Sequence, residues 1–142
     1  MRWDRNKLIS TEEIQVKVTN ATVEFAKEFG EHLAKEEYAE APMTTSQLRK
    51  FFGEVKRQQL IDFDSTKFAM LKPKLAYAVG RAKQNAKKKN NQYQYQKIED
   101  FYVVMEDAID KVLKSSDKDK AFRNFTTAFE AIVAYHKASE KK

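Results

Sequence analysis

An all-α fold, a compact bundle of about five helices, is predicted for this 142-residue chain by three observations. Glycine occurs three times and proline twice, too few for the tight turns of a sandwich or barrel. Good helix formers (alanine, lysine, glutamate, leucine, glutamine) are abundant. Apolar residues recur at three- and four-residue steps, the period of a helix with one buried face. With 42% hydrophobic residues the chain is long enough for one apolar core, so residues 1–142 are expected to form a single helical domain.

Residues 1–9 are expected to be a flexible N-terminus. Ser10 followed by Glu13 reads as a capping box, and Ile14, Val18, Ala21, Phe25, Phe29 and Leu33 follow at helical steps. This predicts one long helix over 11–37. Its outer face is acidic, with Glu24, Glu28, Glu31 and Glu36, and it stops before Pro42. Thr44, Thr45 and Ser46 cap a second helix that runs to about Leu60 on Leu48, Phe51, Phe52 and Val55. Residues 62–66 read as a connection. A third helix is predicted over 73–86, with Pro73 in its first turn and Leu75, Ala78, Val79 and Ala82 inward.

The stretch 87–96, Lys-Lys-Lys-Asn-Asn-Gln-Tyr-Gln-Tyr-Gln, is polar, biased in composition and without helical period. It predicts an exposed basic loop, disordered in the isolated protein. A fourth helix follows on Ile98, Phe101, Tyr102, Met105, Ile109, Val112 and Leu113, ending near Ser115 and Ser116. A fifth is predicted over 119–138 on Phe122, Phe125, Phe129, Ile132, Val133 and His136.

The absence of cysteine removes disulfides and thiolate metal sites and suits a reducing compartment. No apolar run approaches the length of a signal-peptide core or a membrane span, so a cytoplasmic protein without a membrane partner is expected. Catalytic machinery is thin. The two histidines, His32 and His136, lie within predicted helices without a metal-ligand neighbour at the right spacing. No Gly-rich phosphate loop or nucleophile elbow is present. The expectation is a protein that is not an enzyme, with no cofactor, no metal and no small-molecule substrate.

Charge gives the functional lead. Residues 43–97 hold thirteen of the 27 Lys and Arg residues and three of the 21 acidic ones, a net +10, against −3 for residues 1–42 and −1 for 98–142. A near-neutral body with one strongly basic segment suits a polyanion, and nucleic acid is the default one. On an ideal helix Arg49, Lys50, Lys56 and Arg57 lie away from Leu48, Phe52 and Val55, with Gly53 among them. Gly53 would let a phosphate chain approach, or allow another helix to pack closely. Lys74, Tyr77, Arg81 and Gln84 form a polar stripe on the third helix. Arg81 could grip phosphate; Tyr77 could stack on a base or simply close the edge of the core.

Three stretches together resemble a known family. They are Met-Thr-Thr-Ser-Gln-Leu-Arg-Lys-Phe-Phe-Gly-Glu-Val-Lys-Arg at 43–57, Leu-Lys-Pro-Lys-Leu-Ala-Tyr-Ala-Val-Gly-Arg at 71–81 and Phe-Glu-Ala-Ile-Val-Ala-Tyr-His-Lys at 129–137. In this order they resemble the small subunit of type III-A (Csm) CRISPR effector complexes, over about the last hundred residues. The resemblance implies a non-catalytic helical bundle, present in several copies, that stacks along the effector filament in antiviral defence. It would hold the backbone of target RNA paired to the guide, leaving sequence recognition to base pairing. Arg49, Arg57, Lys72, Lys74 and Arg81 match the family's basic positions. Lys50, Lys56 and Lys83 join them by local geometry, giving eight RNA-binding candidates. Phe129, Ile132 and Val133 read as core, and Tyr135 as a subunit contact. The acidic first helix and the 87–96 loop have no counterpart in the resemblance.

Three rivals stay open. A freestanding DNA-binding protein would cluster base-reading side chains at a helix start, whereas these cations are spread along the helices. A metal-independent ribonuclease would use His32 or His136 as general base. An adaptor would present the basic face to an acidic protein.

Overall fold

Seven α-helical segments make up the computed structural model, which describes residues 3–37, 40–91 and 93–140. They are α1 (Thr11–Gln15), α2 (Asn20–Ala34), α3 (Thr45–Gln58), α4 (Ser65–Ala69), α5 (Leu71–Lys88), α6 (Gln96–Leu113) and α7 (Lys118–Ser139). Five of these are fourteen residues or longer, so the all-α bundle expected from periodicity is what forms. All but two of the buried apolar side chains, Ala34 and Ala86, belong to one cluster drawn from every helix. Phe129 on α7 lies near its centre, with the rings of Phe51, Phe52, Phe101 and Phe125 at centroid distances of 5.6, 5.2, 5.7 and 6.1 Å.

The long first helix is corrected to two pieces. The Ser10 cap forms, its Oγ accepting from the Glu13 amide at 3.1 Å, but without the reciprocal half of a capping box, and α1 ends after five residues. The Ile14 carbonyl accepts from Asn124 Nδ2 at 2.9 Å, and Gln15 Nε2 reaches the Lys111 carbonyl at 2.8 Å. The Asn124 side chain of α7 thus takes up a carbonyl that a continuing helix would have used. The chain then restarts at Thr19, whose amide donates to Thr22 Oγ1 at 3.0 Å. The restart shifts the helical phase. Ala21 is exposed, and α2 buries Thr22, Ala26, Phe29, Gly30, Leu33 and Ala34. Gly30 marks a close crossing of α2 and α7. A Cβ placed there would sit 2.8 Å from the Ile132 carbonyl oxygen and 2.9 Å from the His136 amide nitrogen on α7.

The second helix begins on the expected cap. Thr44 Oγ1 accepts from the Gln47 amide at 3.1 Å, and Gln47 Oε1 accepts from the Thr44 amide at 2.8 Å. The connection expected at 62–66 instead opens a short helix, α4, because Asp64 Oδ1 caps the amides of Thr66 and Lys67 at 2.9 and 3.0 Å. Pro73 falls in the first turn of α5, as its missing N–H requires.

The 87–96 loop is shorter than expected. Lys87 and Lys88 are the last residues of α5, and Asn90 turns the chain with a left-handed φ of 55°, a conformation asparagine tolerates at a helix C-terminus. The amide of Asn91 donates to the Ala86 carbonyl at 2.9 Å, and the Gln94 carbonyl accepts from the Ala41 amide at 3.3 Å. Tyr95 packs against the core. Gln92 lies outside the described residues.

The flexible N-terminus is also corrected from Trp3 onward; residues 1 and 2 lie outside the described residues. The Trp3 ring stacks on His32 at 4.8 Å and contacts Phe29 at 5.1 Å. Ile9 is buried. Arg5 Nε donates to Asp100 Oδ1 at 2.8 Å. Asp100 belongs to a buried polar chain on α6 that sequence periodicity missed. Lys97, 1% exposed, donates to Glu37 Oε1 at 2.8 Å and to His32 Nδ1 at 3.1 Å. His32 Nε2 is 2.9 Å from Asp100 Oδ2. Because an ammonium only donates, Nδ1 is the acceptor, which leaves Nε2 to donate to Asp100.

Candidate nucleic-acid interface

Helix α5 packs on α6 and α3 on α7, and a groove of about 650 Å³ lies between α3 and α5. Gln47, Lys50, Phe51 and Glu54 form one wall, and Pro73, Lys74, Tyr77, Ala78, Arg81 and Asn85 the other. Ile98 and Phe101 of α6 close the bottom. The α3 wall follows from steps of three and four (47, 50, 51, 54). The α5 wall follows the same rule through 74, 77, 78, 81, 82 and 85, so the lining is the set of faces the two helices turn toward each other. A smaller recess of about 120 Å³ adjoins it and shares Met43, Gln47, Ala82, Asn85 and Ile98. It extends the groove toward Lys89 and Tyr95.

The eight predicted cations divide into three groups. Lys50, Lys74 and Arg81 line the groove. Arg57 stands at its edge, ion-paired with Glu54 on the same helix. Lys74 shares that carboxylate from across the groove, its Nζ 3.3 Å from Glu54 Oε2. Hydrogen bonding from Arg57 holds the Glu54 carboxyl below the ordinary glutamate value, with Lys74 adding to the effect over the opposing cost of burial.

The remaining four candidates lie elsewhere. Lys72 and Lys83 turn to α6, with Lys72 Nζ 2.7 Å from Asp110 Oδ1 and Lys83 Nζ 3.0 Å from Glu99 Oε2. Those hydrogen bonds raise both lysine pKa values above the usual one. Lys83 also sits 5.3 Å from the centre of the Tyr95 ring. Lys56 is directed to α7, 3.7 Å from Glu130 Oε2 and 5.7 Å from the Phe52 ring centre. Arg49, two helical turns before Lys56, shares that flank of α3. Five of the eight cations thus have carboxylate partners. Among the described residues Arg49, Lys50 and Arg81 have none, and Arg81 rests 6.0 Å from the Tyr77 ring centre.

Gly53 does not mark a helix crossing. A Cβ there would meet only Arg57 at 3.7 Å, and one at Gly80 would meet nothing within 4 Å. Tyr135, expected as a subunit contact, is half-buried beside Gly30.

Sequence reasoning missed Gln47 and Asn85 as groove residues and missed the apolar floor. Asn85 continues the step of four from Arg81 and was findable. Ile98 and Phe101 read only as core. Neither histidine lines the groove. His136 Nε2 is hydrogen-bonded to the Met43 carbonyl at 2.6 Å in the interior, and His32 is held between Lys97 and Asp100. No cluster of three or more His, Asp or Glu side chains suited to a metal occurs among the described residues. Among these residues, too, no helix is long and apolar enough to cross a membrane.

A model of the family described as Csm2 Type III-A matches residues 17–142. The chain belongs to that family, the small structural subunit of the type III-A CRISPR effector, and the expectation drawn from the three sequence motifs holds. No curated protein and no solved structure matches it.

Proposed function

We propose that the α3–α5 face grips the backbone of the target RNA and guide duplex, and that several copies of the chain bridge subunits along the type III-A effector in the cytoplasm without catalysing a reaction. The observation that carries this reading is the pair Lys50 and Arg81 on the two walls of the groove, with Arg49 added on the outer flank of α3. All three are exposed cations, and among the described residues none is ion-paired with a carboxylate. A cation held by a protein carboxylate must give up that partner to take a phosphate, whereas an unpaired one only releases counterions. Within the eight candidates the weight therefore falls on Arg49, Lys50 and Arg81, with Lys74 and Arg57 next. Lys56, Lys72 and Lys83 contribute least.

Salt titration of RNA binding tests the assignment, on the full chain and on the chain assembled with its partner subunits. Replacing Arg49, Lys50 and Arg81 together by Ala is expected to flatten the dependence of log affinity on log salt by about two, from roughly 0.7 per lost phosphate contact on single strands. Replacing Lys56, Lys72 and Lys83 together should change it far less. Equal slopes for wild type and the first triple variant would remove the backbone reading and favour the adaptor.

A further inference from the structure

Phosphate binding accounts for the rim of the groove but leaves its interior unexplained. Between the cations the floor is apolar, formed by Ala78 and the edges of the largely buried Met43, Phe51, Leu75 and Ile98, with Phe101 buried beneath them. A sugar-phosphate chain laid along the rim would leave that recess facing water, with its apolar area unused. Its volume of about 650 Å³ falls within the range of small-ligand pockets, about 300–1,000 Å³. At its mouth the Tyr77 ring is 68% exposed, unusually open for a large aromatic side chain within a helix. The Arg81 guanidinium lies beside that ring.

We propose that the groove is a nucleoside site, which receives an unstacked base of single-stranded RNA while the rim cations hold the flanking phosphates. The ligand class follows from the combination. A base brings a flat apolar face for Tyr77 and the recess, as aromatic platforms for single strands do. The linked phosphates bring the negative charge that Lys50 and Arg81, on opposite walls and free of carboxylates, complement. The side-chain amides of Gln47 and Asn85 each donate and accept, so they can meet the edge of any base. A base stacked within a duplex cannot enter, and must be single-stranded or extruded. This inference rests on the RNA-binding reading of the same face and adds the base to the backbone.

The test compares three probes on the full chain at one salt concentration: a short oligouridine, an abasic oligomer of the same length and charge, and a blunt RNA duplex. Wild type is expected to bind the oligouridine about tenfold more tightly than the abasic chain. Tyr77→Ala, at an exposed position where helical circular dichroism should be unchanged, is expected to erase that difference while leaving abasic binding within about twofold. Tyr77→Phe should retain the difference, because the ring and not the hydroxyl stacks. Equal binding of oligouridine and abasic chain by wild type overturns the nucleoside site; if both still weaken steeply with salt, the backbone reading survives. No salt-dependent binding of any probe overturns both and leaves the apolar recess to a partner protein.

Discussion

Glu54 and Lys74 face each other across the α3–α5 groove, Oε2 to Nζ at 3.3 Å, and the same carboxylate also holds Arg57. One acid thus restrains two of the cations nearest the groove. Glu54→Gln is expected to release both, raising RNA affinity several-fold and steepening the salt dependence by about one phosphate contact or more. Glu54 is partly exposed on a helix wall, and exposed pairs of this kind stabilise a fold by at most about 1 kcal/mol, so the thermal midpoint should hardly move. Filter binding over a salt series, alongside a melting curve, checks both halves. Unchanged affinity would mean that neither Lys74 nor Arg57 meets RNA.

The cap of α3, the first-turn proline of α5 and the apolar stripes of α6 and α7 were all legible, because each is written in residues a few positions apart. The length of the first helix and the pairing of the cations depend instead on partners in other helices, 16 to 110 positions away. Asn124 helps to end α1, and no local signal announces it. Lys72 and Lys83 looked like free cations until α6 brought Asp110 and Glu99 beside them. The groove floor was hidden for a related reason. Ile98 and Phe101 obey the period of core residues, and only the separation of α3 from α5 opens a recess above them.

The glycines should separate in sign. Gly30→Ala is expected to destabilise the protein by about 2 kcal/mol, within the range for overpacking, since the added methyl meets the α7 backbone at under 3 Å and neither helix can yield locally. Gly80→Ala places the same methyl in open space and should stabilise α5 by up to about 1 kcal/mol. Urea unfolding of the two variants gives the comparison. A neutral Gly30→Ala would mean that α2 and α7 are not held at this distance in solution.

The buried Lys97 makes its partners unequal. Glu37→Gln leaves an ammonium, 1% exposed, without its carboxylate, and should cost about 3 kcal/mol or more, as when one partner of a buried pair is removed. Lys97→Met removes the buried charge itself and keeps most of the packing, while Glu37, partly exposed, can hydrate. Its cost should be smaller by at least about 1 kcal/mol. Chemical denaturation of both variants decides. A larger loss in Lys97→Met would show that the lysine donates to Glu37 and His32 at a net gain that outweighs its desolvation.

Acid should loosen the same region before the rest. The Glu37 carboxyl is held below its ordinary value of 4.5 by the hydrogen bond from Lys97, against the opposing effect of burial. For Glu99 burial pushes upward, but the hydrogen bonds and charges of Lys83 and Arg5 outweigh it and the net shift is again downward. A carboxylate with a depressed folded pKa binds fewer protons folded than unfolded. Its stabilisation is fully present above 4.5 and is lost as pH falls through 4.5 and then through the folded value. Unfolding free energy should therefore be nearly flat from neutrality to about pH 5.5 and fall below it, about one pH unit above the unfolded carboxylate pKa. Glu99→Gln and Glu37→Gln should each be less stable at neutral pH and show a shallower decline in acid, so that the variants approach wild type as pH drops. Curves that stay parallel down to pH 3 would contradict the depressed carboxylates. Because Glu99 ties the N-terminal strap at Arg5 to α5 at Lys83, the Trp3 fluorescence change on acidification should precede the loss of helical ellipticity. Coincident transitions would instead make the strap part of the cooperative core.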